Sequence, residues 1–324
     1  MTLSASVIIP NWNGLAHLPG CLAALQAQTH PALEIIVVDN ASTDGSAAWL
    51  RREHPAVRLL VLASNQGFAG ACNAGIRVAS GDFVVLLNND TEAAPEWLCE
   101  MAATLDRHPQ AGIIASKLLL FDRRDTLHSA GDVFYTDGTP ANRGVWRKDG
   151  PEYSREENVF SACGAAAGYR RAMLDEIGLL DEDFFFSCED VDLAWRAQLA
   201  GWQCIYAPRA VVYHKLSATG GGPTASFHDG RNYIYLLVKD VPGAVWARHW
   251  PAILGAQLRI AWQALGAALR GGAAARARLR GQAAGLLALP RLWRKRRVVQ
   301  AARRVSDAAL EALLTAPNPS NTEN

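Results

Sequence analysis

Val7-Ile8-Ile9-Pro10-Asn11-Trp12-Asn13-Gly14 and Val37-Val38-Asp39-Asn40-Ala41-Ser42-Thr43-Asp44-Gly45-Ser46 decide the fold of this chain. Each opens with a short apolar run and stops at a polar or turn-forming residue, as a strand buried on both faces does. Between them, Leu15, Leu18, Leu22 and Leu25 form one helical stripe that runs to Gln28. Working outward, Ile35 to Val38 is the second strand. Asp44 to Glu53 reads as a helix, with Ser42, Thr43 and Asp44 offering its cap. Leu59–Leu62, Phe68–Val78 and Phe83–Leu87 continue as strand, helix and strand. This alternation predicts an α/β class with a mostly parallel central sheet. Ligands of such sheets bind beyond the C-terminal strand ends. That gathers Pro10, Asp39, Asn40 and Asn88-Asn89-Asp90 around one mouth.

The chain has 324 residues and a net charge of +1, which hides an asymmetry. Residues 1–240 hold 19 Lys and Arg against 28 Asp and Glu; residues 241–324 hold 13 against 3. No acidic residue lies between Asp240 and Asp307. An acidic body with a basic extension predicts contact with an anionic partner. The six cysteines show no C-x-x-C spacing and read as free thiols in a reducing compartment. A signal peptide is not expected, nor is a run of about 18 residues apolar enough to span a bilayer. The expectation is therefore a cytoplasmic body. Residues 120–170 are irregular and expected to hold loops and short antiparallel strands. A helix is expected from Glu189 to Gly201, strands over Trp202–Ala207 and Ala210–Tyr213, and a helix over Asp229–Lys239. The organisation read from this is a catalytic domain over 1–240, a basic helical extension over 241–306 and a polar tail over 307–324.

The extension has amphipathic helices. Leu254, Leu258, Ala261, Trp262, Leu265 and Leu269 share one arc, with Arg259, Gln263 and Arg270 opposite. Leu286-Leu287, Leu289, Leu292-Trp293 and Arg294-Lys295-Arg296-Arg297 follow. Basic helices with Trp predict an anionic membrane surface as partner through residues 250–304. The competing reading is a helical hairpin packed on the body.

Three further motifs complete an ordered series: Asn65-Gln66-Gly67-Phe68-Ala69-Gly70-Ala71-Cys72-Asn73-Ala74-Gly75, Leu87-Asn88-Asn89-Asp90-Thr91, and Glu189-Asp190-Val191-Asp192-Leu193-Ala194-Trp195-Arg196. Over residues 5 to about 240 the series resembles the family 2 inverting glycosyltransferases of the GT-A fold, in the rhamnosyltransferase-like branch. The resemblance implies a nucleotide-sugar donor, a Mg²⁺ or Mn²⁺ ion and a glycan or lipid-linked acceptor, with no nucleic-acid partner. It assigns Pro10, Asn11, Asp39, Asn40, Asn65, Asn73, Asn88 and Asn89 to the donor nucleotide. A carboxylate such as Asp39 can accept the N3–H of uracil or thymine, or can simply start a turn. The glycines of the third motif fit either a phosphate at a helix start or close helix packing.

Asn88-Asn89-Asp90 stands where the family has Asp-x-Asp. Asn88 replaces the first acid, leaving Asp90 to hold a metal on the diphosphate. The same residues also suit a turn. The resemblance gives His214, after the last strand, as a further metal ligand, although a lone His is more often structural. It gives Asp190 as the base that takes the acceptor's proton, with Asp192 in reserve or paired with Arg196 at i+4. Glu189, Gly164 and Ala165 fall near acceptor and diphosphate. Arg231 either reaches the diphosphate or solvates a helix face. Phe184-Phe185-Phe186 could shield the base from water or be core.

The Gln-x-x-Arg-Trp motif of processive synthases is missing, which predicts addition of single sugars from a UDP- or dTDP-donor, with rhamnose the candidate. The basic extension predicts a peripheral position on the inner face of the cytoplasmic membrane, and an acceptor built there for bacterial surface polysaccharide. Two alternatives share the fold. A nucleotidyltransferase would carry basic residues after the first strand, where Pro10 to Gly14 has none. A non-catalytic nucleotide-sugar-binding protein would not need Asp90, Asp190 and His214.

Overall fold

The computed structural model describes residues 3–216 and 221–317. Its strands are β1 (Ala5–Asn11), β2 (Glu34–Asp39), β3 (Arg58–Val61), β4 (Phe83–Leu87), β5 (Thr91–Ala93), β6 (Ala111–Leu120), β7 (Leu127–Ala130), β8 (Asp132–Phe134), β9 (Pro140–Asn142), β10 (Glu157–Val159), β11 (Ala166–Arg170) and β12 (Gln203–His214). Its helices are α1 (Leu18–Gln26), α2 (Ser46–Glu53), α3 (Gly67–Val78), α4 (Trp97–Arg107), α5 (Arg171–Ile177), α6 (Glu189–Ala200), α7 (Gly222–Lys239), α8 (Gly243–Leu269), α9 (Ala273–Leu287), α10 (Leu289–Ala301) and α11 (Asp307–Glu311).

The large sheet runs β10-β12-β6-β11-β4-β1-β2-β3 and is mostly parallel. β1 pairs in parallel with β2 and β4, β2 with β3, and β6 with β12. The exception that matters is β11, which runs antiparallel between β4 and β6. Its N-terminal end therefore meets the C-terminal ends of β1, β2, β4 and β12 along one sheet edge. Ile8, Val37, Val85 and Ile114 are fully buried, and apolar side chains pack both faces.

Several elements differ from the sequence reading. The β6 strand and α4 were not expected; β6 is buried along its whole length, so its Ala-Gly-Ile-Ile-Ala-Ser pattern has no polar face to betray it. The two short strands expected from Trp202 are one strand, β12, with a register shift between Ala207 and Val211. Helix α7 starts at Gly222 rather than Asp229. The tail is not simply polar: Ser306 caps α11, Leu310 is buried, and the Thr315 N–H donates to the Phe134 carbonyl at 3.0 Å. Residues 318–324 of that tail lie outside the described residues. All six cysteines are free.

The basic extension packs on the body, as the hairpin reading required. The tightest seam is between α7 and α9, where glycines let the backbones touch. A Cβ at Gly281 would collide with the Phe227 carbonyl oxygen, and one at Gly230 with that of Arg278. The expectation that no segment is long and apolar enough to cross a membrane is corrected: α8 is, by length and composition. One side of it is nonetheless packed, through Val245, Ile253, Ala256 and Ala264. Overpacking the α7–α9 seam with Gly281→Ala should cost about 1–3 kcal/mol, read as a lower Tm by thermal denaturation.

Candidate functional site

The sheet edge opens into a cleft of about 530 Å³, within the range of small-molecule sites. Its walls hold twelve of the residues read from the sequence: Pro10, Asn11, Asn40, Asn65, Asn88, Asn89, Asp90, Gly164, Ala165, Glu189, Asp190 and His214. At one end, asparagine side chains lock the strand ends together. The Asn89 amide donates to Asn11 Oδ1 at 2.7 Å, and the Asn40 amide to Asn65 Oδ1 at 2.9 Å. Trp12 stands half-exposed beside them.

Four expected residues do not reach the cleft. Asp39 is buried under it, accepting from the Asn11 amide at 3.2 Å and the Ser42 N–H at 3.0 Å. Asn73 bonds the Leu180 backbone and Glu182. Asp192 is fully buried between Lys239 and Arg196, the latter at 3.0 Å, which is the i,i+4 pair the sequence offered. Arg231 donates to the carbonyls of Asp183 and Phe184 at 2.9 and 2.7 Å. The neighbouring Asn232, also buried, donates to those of Phe184, Phe186 and Ser187. Together they hold the loop that leads into α6. That loop is strained: Phe185, Ser187 and Cys188 all have φ between +61° and +70°. Burial and the stacking of Phe185 on His228 make the aromatic run a cleft wall as well as core.

Pairing of β12 with β5 sets His214 opposite Thr91 and so beside Asp90. His214 Nε2 lies 3.2 Å from Asp90 Oδ1, and both side chains are nearly buried. Burial, the largest influence, would raise the Asp90 carboxyl, but the His214 hydrogen bond and charge, a backbone hydrogen bond and His17 together hold the group below its ordinary value. A carboxylate oxygen beside an imidazole nitrogen is a donor set that suits Mn²⁺ or Mg²⁺ with one nitrogen ligand. Behind them His128, which the sequence reading did not name, puts Nδ1 at 3.1 Å from His214 Nδ1. Burial pushes His128 down to about 3, so it stays neutral and can accept the His214 Nδ1–H. His128 thereby holds the His214 ring in place beside Asp90.

Across the cleft, Asp190 opens α6. Its Oδ2 accepts the Gly164 N–H at 2.7 Å, and Oδ1 that of Val191 at 2.8 Å. Burial raises this carboxyl despite those donors. Glu189 is driven to about 8, by burial first and the Asp190 charge second. A third carboxyl, Asp132 on β8, was invisible in the irregular middle of the sequence. It is pinned by Ser129 Oγ at 2.8 Å, and burial and Asp190 push it well above the usual range. Oxygens of Asp132 and Asp190 and the Cys163 sulfur lie within 4.8 Å of one another. An ionised carboxylate beside an uncharged one can grip a hydroxyl from both sides and remove its proton from one.

The donor set makes a binding prediction. Mn²⁺ titrated calorimetrically should bind the native chain, and Asp90→Ala or His214→Ala should abolish the heat. His128→Ala should weaken binding roughly 10–100-fold, as loss of an outer partner does.

Comparison with known proteins bears on this site. Residues 6–178 match glycosyl transferase family 2. The chain is 28% identical over 271 residues to the N-acetylglucosaminyl-diphospho-decaprenol L-rhamnosyltransferase of Mycobacterium tuberculosis, covering 76% of this chain and 87% of that one. Among solved structures it resembles GalNAc-T7 with UDP, GalNAc and Mn²⁺, with a TM-score of 0.61 at 15% identity over 74% of this chain and 48% of the other. It also resembles a mannosyltransferase from Pyrobaculum calidifontis with GDP-Man and Mn²⁺, with a TM-score of 0.55 at 20% identity over 97% and 87%. The family match spans more than half the chain, so the protein belongs to glycosyl transferase family 2 and is a glycosyltransferase of the GT-A fold.

Proposed function

We propose that this glycosyltransferase moves a single sugar from a UDP- or dTDP-sugar to a glycan or lipid-linked acceptor, with inversion at the anomeric carbon and Asp190 as base. The observation that supports it most is the placing of two unlike functions in one cleft: Asp90 with His214, and Asp190 with Asp132. The asparagine-lined end, with Pro10 and Trp12, takes the nucleoside. Asp90 and His214 would hold a divalent cation, which supplies positive charge to the leaving diphosphate. Asp190 accepts the proton of the acceptor hydroxyl while that oxygen bonds to the anomeric carbon. The bond from that carbon to the diphosphate oxygen breaks as this happens, and the electron pair leaves with the nucleoside diphosphate. Asp132 orients the hydroxyl, and Gly164 and Ala165 leave room for a sugar ring. The rhamnosyltransferase relative supports rhamnose as the sugar and a lipid-linked acceptor, and the basic extension supports work at the inner face of the cytoplasmic membrane.

Two experiments test this reading. A thermal-shift panel of nucleotide sugars with Mn²⁺ or Mg²⁺ should single out one UDP- or dTDP-sugar, with little shift when metal is chelated. A folded protein that responds to no donor contradicts it. Asp190→Asn should lower turnover by roughly 10²–10⁴ with donor binding kept. Asp192→Asn should act through stability instead. Because the base works only when ionised and its pKa is raised, turnover should climb with pH along a limb above the usual carboxylate range.

A further inference from the structure

Helix α8 has two apolar sides, and only one is used. Val245, Ile253, Ala256 and Ala264 face the body. Trp250, Leu254, Leu258, Trp262, Leu265 and Leu269 all stand exposed, Trp262 at 76% and Leu269 at 81%. At about 100° per residue these six fall within roughly 120° of one face. Single exposed apolar residues are ordinary, but a continuous stripe from Trp250 to Leu269 of one helix marks a contact surface.

Charge selects the partner. Arg248, Arg259 and Arg270 flank the stripe on one side, between it and the packed face. Arg270, Arg276, Arg280, Arg294 and Arg297 are exposed and lie in no ion pair among the described residues. Further exposed apolar residues, Leu286, Leu287, Trp293 and Val298, accompany them on α9 and α10. A second copy of this chain would bring the same positive sign to the contact and be repelled. A sheet of anionic headgroups over an apolar interior meets both features.

We propose that α8 docks the enzyme on an anionic lipid bilayer, lying in the interface with Trp250, Leu258, Trp262 and Leu269 inserted and the arginines at headgroup level. The helix does not span, since its other side packs on the body and Arg259 reaches Asp137 at 3.7 Å. The packed side of α8 leads toward the cleft: Ile260 and Ala264 share a small pocket with Ser226 of α7, and Thr224, two residues earlier, lines the cleft. Docking deepens the reading of a membrane-borne acceptor and rests on it for its purpose, though not for its test.

The test is flotation of the full chain with phosphatidylcholine vesicles, with and without phosphatidylglycerol, in the absence of donor and acceptor. Native protein should float with the anionic vesicles and much less with the neutral ones. Leu258→Glu/Trp262→Glu should bind at least about ten-fold more weakly, with its melting temperature and its activity on a short water-soluble acceptor unchanged. Arg270→Gln/Arg276→Gln/Arg280→Gln should lose the preference for anionic lipid. Native protein that stays at the bottom, or a stripe variant that floats equally well, overturns the proposal. So does a native dimer in sedimentation analysis that the stripe variant dissolves. Flotation without any measurable sugar transfer would leave docking standing and strike at the transferase reading of the acceptor instead.

Discussion

Asp192 is a charged side chain with no access to water, and the site depends on how it is satisfied. Lys239 and Arg196 surround it, and Lys239 also reaches Asp181 at 2.6 Å. Burial would raise the Asp192 carboxyl, but these cations hold it below its ordinary value. Removing one partner of such a set leaves an uncompensated buried charge, costing about 3–5 kcal/mol. The constraint fixes the rotation of α6. Two residues on a helix lie about 200° apart, so with Asp192 anchored inward, Asp190 must face the cleft. Lys239 sits at the end of α7, and Lys295 of α10 bonds Asp181 at 2.6 Å, so the basic extension is tied into the same anchor.

The two ends of α6's approach loop divide the labour. Arg231 and Asn232 satisfy its carbonyls from α7, while Phe185, Ser187 and Cys188 carry the strain that brings Glu189 and Asp190 to the cleft. At the cleft wall three carboxyls crowd together, and their environments separate them. Asp190 has two backbone N–H donors to favour its charge; Asp132 has a single hydroxyl and deeper burial. Environment, not residue type, distinguishes Asp190 from its neighbour.

The first part of the fold was legible because its strands are continuous apolar runs ending at polar residues, from Val7-Ile8-Ile9 to Phe83–Leu87. The part that follows was not. The β6 strand shows no alternation because it is buried throughout, and β11 runs against the βα rhythm. Asp132 lies in a segment with no periodicity, and His128 is brought to His214 only by pairing between distant parts of the chain. The sequence offered Asp192 as base and as partner of Arg196, and burial separates these roles. Arg231 reads in the sequence as a diphosphate contact or a solvated helix position; its guanidinium instead satisfies loop carbonyls. The amphipathic arc of α8 was legible too, but only the packing reveals that the arc faces outward.

The proposed reaction is a single displacement in which Asp190 deprotonates the acceptor and no covalent sugar–enzyme intermediate forms. The anomeric configuration of the new glycosidic bond, read by proton NMR, is the measurement to make. A product of opposite configuration to the donor sugar is expected. A product of retained configuration would contradict it, and would require a different role for Asp190.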